Sequence, residues 1–182
     1  SNIYRLMLQD QIKATVRDVK DYPKPGIVFK DITPVLADPV LVNTIINQLK
    51  ADFNGMHIDA LAAVEARGFI FGAMLARELN CGFIPVRKAG KLPFTSIKQE
   101  YDLEYGRASV EMHTDAIKPG WRVLVHDDLL ATGGTAGATA QMVRRLGGEV
   151  VAFSFLINLS FLPGEKNLFE QFGVKPRYLV KY

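Results

Sequence analysis

Val123-Leu-Val-His-Asp-Asp-Leu-Leu-Ala-Thr-Gly-Gly-Thr-Ala-Gly-Ala138 runs from an apolar, β-branched stretch into two adjacent acids and then into a turn of small and hydroxyl-bearing residues. Val123 to Val125 reads as a buried parallel strand. From Thr135 onward, Met142, Val143 and Leu146 recur at helical spacing, so the turn joins a strand to a helix N-terminus. Such a junction aims several amides and the positive end of the helix dipole at one spot, which suits a phosphate dianion. Gly133 and Gly134 let the backbone approach closely, and Thr132 and Thr135 can donate hydroxyl hydrogen bonds. Asp127 and Asp128 would repel that phosphate unless something else occupied them, and a sugar diol or a divalent cation is the natural occupant. Together these residues describe a ribose 5-phosphate site. No Gly-Lys-Ser/Thr follows at Walker A spacing, and the dinucleotide pattern G-x-G-x-x-G is absent.

Working outward, Ala60 to Val64 reads as a strand, Gly68 to Leu79 as a helix and Gly82 to Val86 as a second strand. This is a βαβ unit and predicts a parallel sheet with a right-handed crossover. Toward the N-terminus, residues Ile3 to Val19 carry an amphipathic helical period, and Ile27 to Phe29 is a short extended piece. Asp38 before Pro39 starts a helix that should reach about Phe53. Lys88 to Glu100 lacks apolar periodicity and reads as a long surface loop, with a hairpin of Leu103 to Tyr105 and Ala108 to Met112 at its base. Beyond the signature come a strand from Val150 to Ile157, a turn at Pro163-Gly164, a short helix and a last strand at Tyr178 to Val180. The alternation predicts an α/β fold, a three-layer α/β/α domain on a mostly parallel central sheet, with ligands at the carboxyl ends of the strands.

A chain of 182 residues suits one domain. With 48% hydrophobic and 23% charged residues the composition is globular, and no apolar run approaches the roughly 18 residues that a bilayer crossing needs. The net charge of +3 and pI near 9.0 give little support to nucleic-acid binding. One cysteine, Cys81, excludes an intrachain disulfide and, with no signal-peptide pattern, fits a cytoplasmic protein. His57, His113 and His126 with that cysteine are too few for a structural zinc site, and strand alternation turns the His126 side chain away from that of Asp127, as a structural residue.

The signature segment resembles the phosphoribosyl diphosphate motif of the type I phosphoribosyltransferases. Four further runs narrow the resemblance to the adenine-using members of that family: Pro25-Gly-Ile-Val-Phe-Lys-Asp-Ile-Thr-Pro34, Val64-Glu-Ala-Arg-Gly-Phe-Ile-Phe-Gly72, Val86-Arg-Lys-Ala-Gly-Lys-Leu-Pro93 and Tyr101-Asp-Leu-Glu-Tyr-Gly106. Lys30, Ala66 and Ala89 differ from residues seen in some members. The resemblance implies one domain over residues 1–182, with a small hood from about residues 1–35 and a flexible loop over about 88–105. It implies a transferase that makes AMP and diphosphate from adenine and 5-phosphoribosyl 1-diphosphate with Mg²⁺, as a homodimer. Alternatives are transfer to hypoxanthine, guanine or xanthine, or a non-catalytic regulator that senses phosphoribosyl diphosphate.

By the same resemblance Asp127 and Asp128 hold the ribose hydroxyls, while Ala131, Thr132, Gly133, Gly134 and Thr135 bind the 5-phosphate. Arg67, Arg87, Lys88 and Lys91 meet the diphosphate, some of them from a neighbouring subunit. Val28, Phe29 and Lys30 hold adenine. Glu104 exchanges a proton with the purine, with Glu100 as its rival, and Arg67 shares in catalysis. No dedicated metal ligand set is implied, because Mg²⁺ would rest on substrate oxygens and water.

Overall fold

A computed structural model describes residues 2–103 and 105–182. The chain divides after Asp52 into two compact units.

The first unit holds helix α1 (Asn2–Thr15), strands β1 (Arg17–Lys20) and β2 (Val28–Asp31), a short helix α2 (Thr33–Leu36) and helix α3 (Pro39–Asp52). Helix α1 ends four residues before the periodicity predicts, because Arg17 and Asp18 find better partners in a strand. β1 pairs antiparallel with β2, setting Arg17 opposite Asp31 and Asp18 opposite Lys30. The resulting ion pairs close at 3.2 Å and 2.7 Å, respectively, and opposite charges facing each other across a ladder favour that register. The start of α3 follows its sequence signal: Asp38 Oδ1 accepts the amides of Val40 and Leu41, each at 3.1 Å. α1 packs on α3 through Leu8 and Ile12 against a buried set that includes Leu41 and Ile45, with Arg5 Nη1 2.7 Å from Asp52 Oδ1.

The second unit is built on a seven-stranded sheet. Its elements are β3 (Ala60–Val64), α4 (Gly68–Glu78), β4 (Gly82–Lys88), β5 (Ser96–Asp102), β6 (Arg107–His113), β7 (Arg122–Leu130), α5 (Gly134–Arg145), β8 (Glu149–Asn158), α6 (Gly164–Phe172) and β9 (Arg177–Lys181). The strand order is β5-β6-β4-β3-β7-β8-β9, parallel from β4 to β9 and antiparallel at the β5-β6 edge. Alternation along β3 and β7 supplies both faces. Ala60, Ala62, Val64, Val123 and Val125 join Ala136, Ala140 and Val143 of α5 in the core, whereas Gly72 of α4 lies directly over Leu61, Ala63 and His126. Helices therefore cover both sides of a mostly parallel sheet.

One expectation changes. The stretch read as a loop from Lys88 to Glu100 carries most of β5, so the irregular connection shrinks to the residues between Lys88 and Ser96, and the hairpin begins earlier than predicted. Its cue is a weak alternation: Ile97, Gln99 and Tyr101 are partly covered, while Lys98, Glu100 and Asp102 face water. Charges on the outer side suit an edge strand, and Arg145 Nη1 of α5 bonds the Lys98 carbonyl at 2.7 Å. Asp127 and Asp128 stand toward the carboxyl end of β7, as expected, and the ladder to β8 continues past them to Leu130.

The connections decide where a ligand can enter. From β3 the chain crosses through α4 to β4 on one side, and from β7 it crosses through α5 to β8 on the other. β3 and β7 are neighbours, so their carboxyl ends part around a crevice where the winding reverses.

Candidate active site

That crevice is a cavity of about 350 Å³, lined by Glu65 and Arg67 after β3, Lys88 at the end of β4, Tyr101 of β5, Asp127 and Asp128 of β7, and Ala131 to Thr135. The Glu65–Ala66 peptide is cis. Arg67 occupies the residue before α4, and its Nε lies 3.0 Å from Asp128 Oδ2. The Asp128 side chain is nearly closed to solvent at 6% exposure, while that of Arg67 is 46% exposed. The guanidinium thus neutralises a buried carboxylate at the wall of the cavity.

Asp127 has a different environment. Its Oδ1 accepts the Asp128 amide at 2.8 Å. Burial, reinforced by the Asp128 charge, pushes its carboxyl well above the usual carboxylate range, with Arg67 offsetting part of the rise. Two carboxyls packed this closely resist carrying two full charges. A neutral, hydroxyl-rich group that donates hydrogen bonds relieves them without adding negative charge.

The turn after β7 is held from behind. The Ala131 carbonyl accepts the Gly164 amide at 3.1 Å, and the Thr132 carbonyl accepts Asn167 Nδ2 at 3.0 Å, so both carbonyls face α6. In a trans peptide the next N–H points the opposite way, so the amides of Thr132 and Gly133 face away from α6. Gly133 adopts φ 85°, a left-handed conformation that glycine takes without steric cost. The first ladder bond of α5 runs from Gly137 N to Gly133 O at 2.8 Å, so the amides of Gly134, Thr135 and Ala136 precede the intrahelical pattern. No side chain caps this end. A run of main-chain donors at a helix N-terminus is an anion cradle.

The structure brings Arg67, Lys88, Asp127, Asp128 and Ala131–Thr135 to one cavity. Arg87 and Lys91 stand beside it rather than in its wall: Arg87 Nε bonds Glu65 Oε1 at 3.2 Å, and its Nη1 bonds the Lys91 carbonyl at 3.3 Å. Glu100 is exposed and pairs with Arg107 at 3.0 Å. Glu104 lies outside the described residues. Val28, Phe29 and Lys30 belong to the first unit, where the Phe29 ring meets Tyr22 edge-on at 5.2 Å and Lys30 pairs with Asp18. His126 is fully buried with Nδ1 3.3 Å from Ser154 Oγ, and burial holds its pKa down to about 4, as befits a neutral packing residue. The sequence reading passed over Glu65 and Tyr101. Both stand in the quoted runs Val64–Gly72 and Tyr101–Gly106, but only the fold shows that they line the cavity. Among the described residues no three His, Cys, Asp or Glu side chains gather in metal-binding geometry.

The anion cradle, the carboxyl pair and the reversed winding define a class of protein that handles phosphorylated sugars at the carboxyl ends of the strands of a parallel sheet. The family model for the phosphoribosyl transferase domain matches residues 32–170, and the chain belongs to that family. Within it the similarity is to adenine phosphoribosyltransferases. The chain is 59% identical to the adenine phosphoribosyltransferase of Myxococcus xanthus over 157 residues, covering 86% of this chain and 85% of that one. A crystal structure of the enzyme from Thermoanaerobacter pseudethanolicus superposes with a TM-score of 0.92 at 49% identity, covering 96% of this chain and 99% of that one. The enzyme from Saccharomyces cerevisiae, complexed with adenine and an imino-altritol bisphosphate, gives a TM-score of 0.87 at 34% identity over 96% and 99% of the two chains.

Proposed function

We propose that this chain is a purine salvage transferase that joins adenine to 5-phosphoribosyl 1-diphosphate, releasing AMP and diphosphate. The observation that carries this is the single cavity in which an amide cradle and a carboxyl pair stand side by side. The names of its relatives, adenine phosphoribosyltransferases that include one 59% identical to it, supply the base.

In this reading the amides and hydroxyls of Ala131 to Thr135 take the 5-phosphate, and Asp127 and Asp128 accept hydrogen bonds from the ribose 2- and 3-hydroxyls. As the bond to diphosphate breaks, the ribose ring gains oxocarbenium character, which the carboxylates stabilise. Arg67 and Lys88, supported by Arg87 and Lys91, counter the charge that builds on the departing diphosphate. Val28, Phe29 and Lys30 hold adenine, with the aromatic ring supplying a flat face. Glu104 is the group that adjusts the purine proton during attack. The irregular connection between Lys88 and Ser96, the part of the expected loop that is not strand, closes over the site to keep water from the cation.

The donor set fits Mg²⁺ held by few protein groups, because the Asp128 carboxylate is committed to Arg67. Bound there through substrate oxygens and water, the ion would neutralise the diphosphate charge. The protein is further proposed to be cytoplasmic and homodimeric, and no described helix is long and apolar enough to cross a membrane.

Labelled adenine, hypoxanthine, guanine and xanthine, each offered with 5-phosphoribosyl 1-diphosphate and Mg²⁺, test the assignment. Adenine alone should yield nucleotide efficiently, and Asp128→Ala should lower turnover on the order of a hundredfold. Efficient use of another base, or an Asp128→Ala enzyme with normal kinetics, refutes the corresponding part.

A further inference from the structure

Glu65 is a third acid in the cavity wall, on the side where the diphosphate is proposed to lie. A bare carboxylate there would repel that substrate, so its charge must be spent elsewhere. It is spent on the end of β4. The Glu65 amide donates to the Val86 carbonyl at 2.9 Å, and its Oε1 accepts both the Lys88 amide at 2.6 Å and Arg87 Nε at 3.2 Å. The side chain is only 15% exposed. Burial alone would raise its pKa, but the Lys88 amide and the Arg87 guanidinium outweigh that and leave the carboxyl below its ordinary value.

We infer that Glu65 is a positioning residue for the diphosphate end of the substrate, clipping the carboxyl end of β4 so that Lys88 and Arg87 are presented in fixed orientations. This rests on the reading of the cavity as the phosphoribosyl diphosphate site. The clip takes Lys88 by its main chain, which leaves the ammonium group free of this contact while the residue lines the cavity. It takes Arg87 by Nε. With Nη1 on the Lys91 carbonyl, the guanidinium is fixed along two donors beside the cavity. The same carboxylate masks its own charge in both contacts, so the substrate meets organised cations rather than an anion. Preorganisation of this kind acts on the substrate whose charge the cations meet and leaves the base untouched.

Steady-state kinetics of Glu65→Ala and Glu65→Gln, varying each substrate separately, read the effect, with thermal unfolding measured alongside. Glu65→Ala should raise KM for 5-phosphoribosyl 1-diphosphate about tenfold while KM for adenine stays within about twofold. Glu65→Gln, whose amide oxygen can still accept the Lys88 bond, should recover most of the loss and remain about threefold above wild type. In an Arg87→Ala background, Glu65→Ala should cost less than it does alone, because part of its effect passes through Arg87. Should Glu65→Ala fail to fold, the Glu65→Gln shift in KM carries the test. Unchanged KM for the diphosphate substrate, or equal rises for both substrates that track a fall in Tm, overturns the inference. A wild-type chain that takes no 5-phosphoribosyl 1-diphosphate overturns the functional reading and this inference with it, whereas an active wild type with indifferent variants overturns this inference alone.

Discussion

Arg67 and His126 show how two residues near the same acids end in opposite chemical states. Arg67, half-exposed in the cavity wall, holds Asp128 at 3.0 Å and keeps its charge. His126, one residue before the carboxyl pair, is sealed among apolar neighbours with Ser154 as its partner, and among the described residues its Nε2 has none. Its pKa of about 4 lies below the ordinary 6.5, so as pH falls the unfolded chain takes up the proton first. The unfolded state then binds more protons than the folded one, and stability drops from pH 6.5 toward about pH 4 by roughly 3 kcal/mol from this group. Above pH 6.5 the contribution is fully present. His126→Val should therefore show a shallower loss of stability across that window than the wild type, measured by denaturant unfolding at several pH values, whatever its stability at neutral pH. Parallel curves would show that the histidine is not the group that titrates. The alternation of side chains along the strand foretold the inward turn of His126, but the depth of its burial depends on α4 lying over it.

At the scale of elements, α6 is the support of the cradle. It touches the turn through the Gly164 amide and the Asn167 side chain, which turn the carbonyls of Ala131 and Thr132 outward. The approach at Gly164 leaves no room for a side chain: a Cβ there would sit 2.4 Å from the Ala131 oxygen and 2.7 Å from Leu130 Cδ1. Gly164→Ala should cost about 1–3 kcal/mol of stability by overpacking and should also raise KM for 5-phosphoribosyl 1-diphosphate, because the helix and the turn must separate. Calorimetry with substrate-dependent kinetics checks both, and a variant with normal KM would show that α6 does not set the cradle. The sequence announced Pro163-Gly164 as a turn and a short helix after it. It did not announce that this helix, some thirty residues downstream, backs the turn after β7, because on the turn's side that contact is made by main-chain carbonyls common to every residue. β5 was hidden for a related reason. Its alternation of Ile97, Gln99 and Tyr101 with charged residues is faint, and only pairing with β6 and packing on the core make it a strand.

For the whole molecule, the order β4-β3-β7-β8 matters most, since it puts Arg67 and the Asp127–Asp128 pair on either side of one crevice. A second feature at this scale is an apolar surface on α4 and β4. Phe69 and Phe83 meet edge-on at 5.6 Å, Phe83 is 37% exposed, and Ile70, the next residue of α4, is 38% exposed. Exposed aromatic side chains gathered on rigid elements suit an interface between copies. Sedimentation should give twice the chain mass of 20.2 kDa, and Phe83→Glu should shift the protein toward monomer. A wild type that sediments as a monomer across the micromolar range would exclude the homodimer.

The alternation of apolar strands with helices, the cap at Asp38 and the Asp-Asp and Thr-Gly-Gly-Thr run are local patterns, and from them the sequence alone determined the fold class and the ligand chemistry. Local pattern suffices for these because hydrophobic period and turn chemistry act over a few residues. Folding alone decided that Arg67 meets Asp128, that Glu65 ties Arg87 and Lys88, that α6 backs the turn after β7, and that Lys91 stays outside the cavity wall. Those pairings join residues from about twenty to sixty positions apart through side-chain reach and main-chain hydrogen bonds, and such partners exist only once the strands have chosen their order.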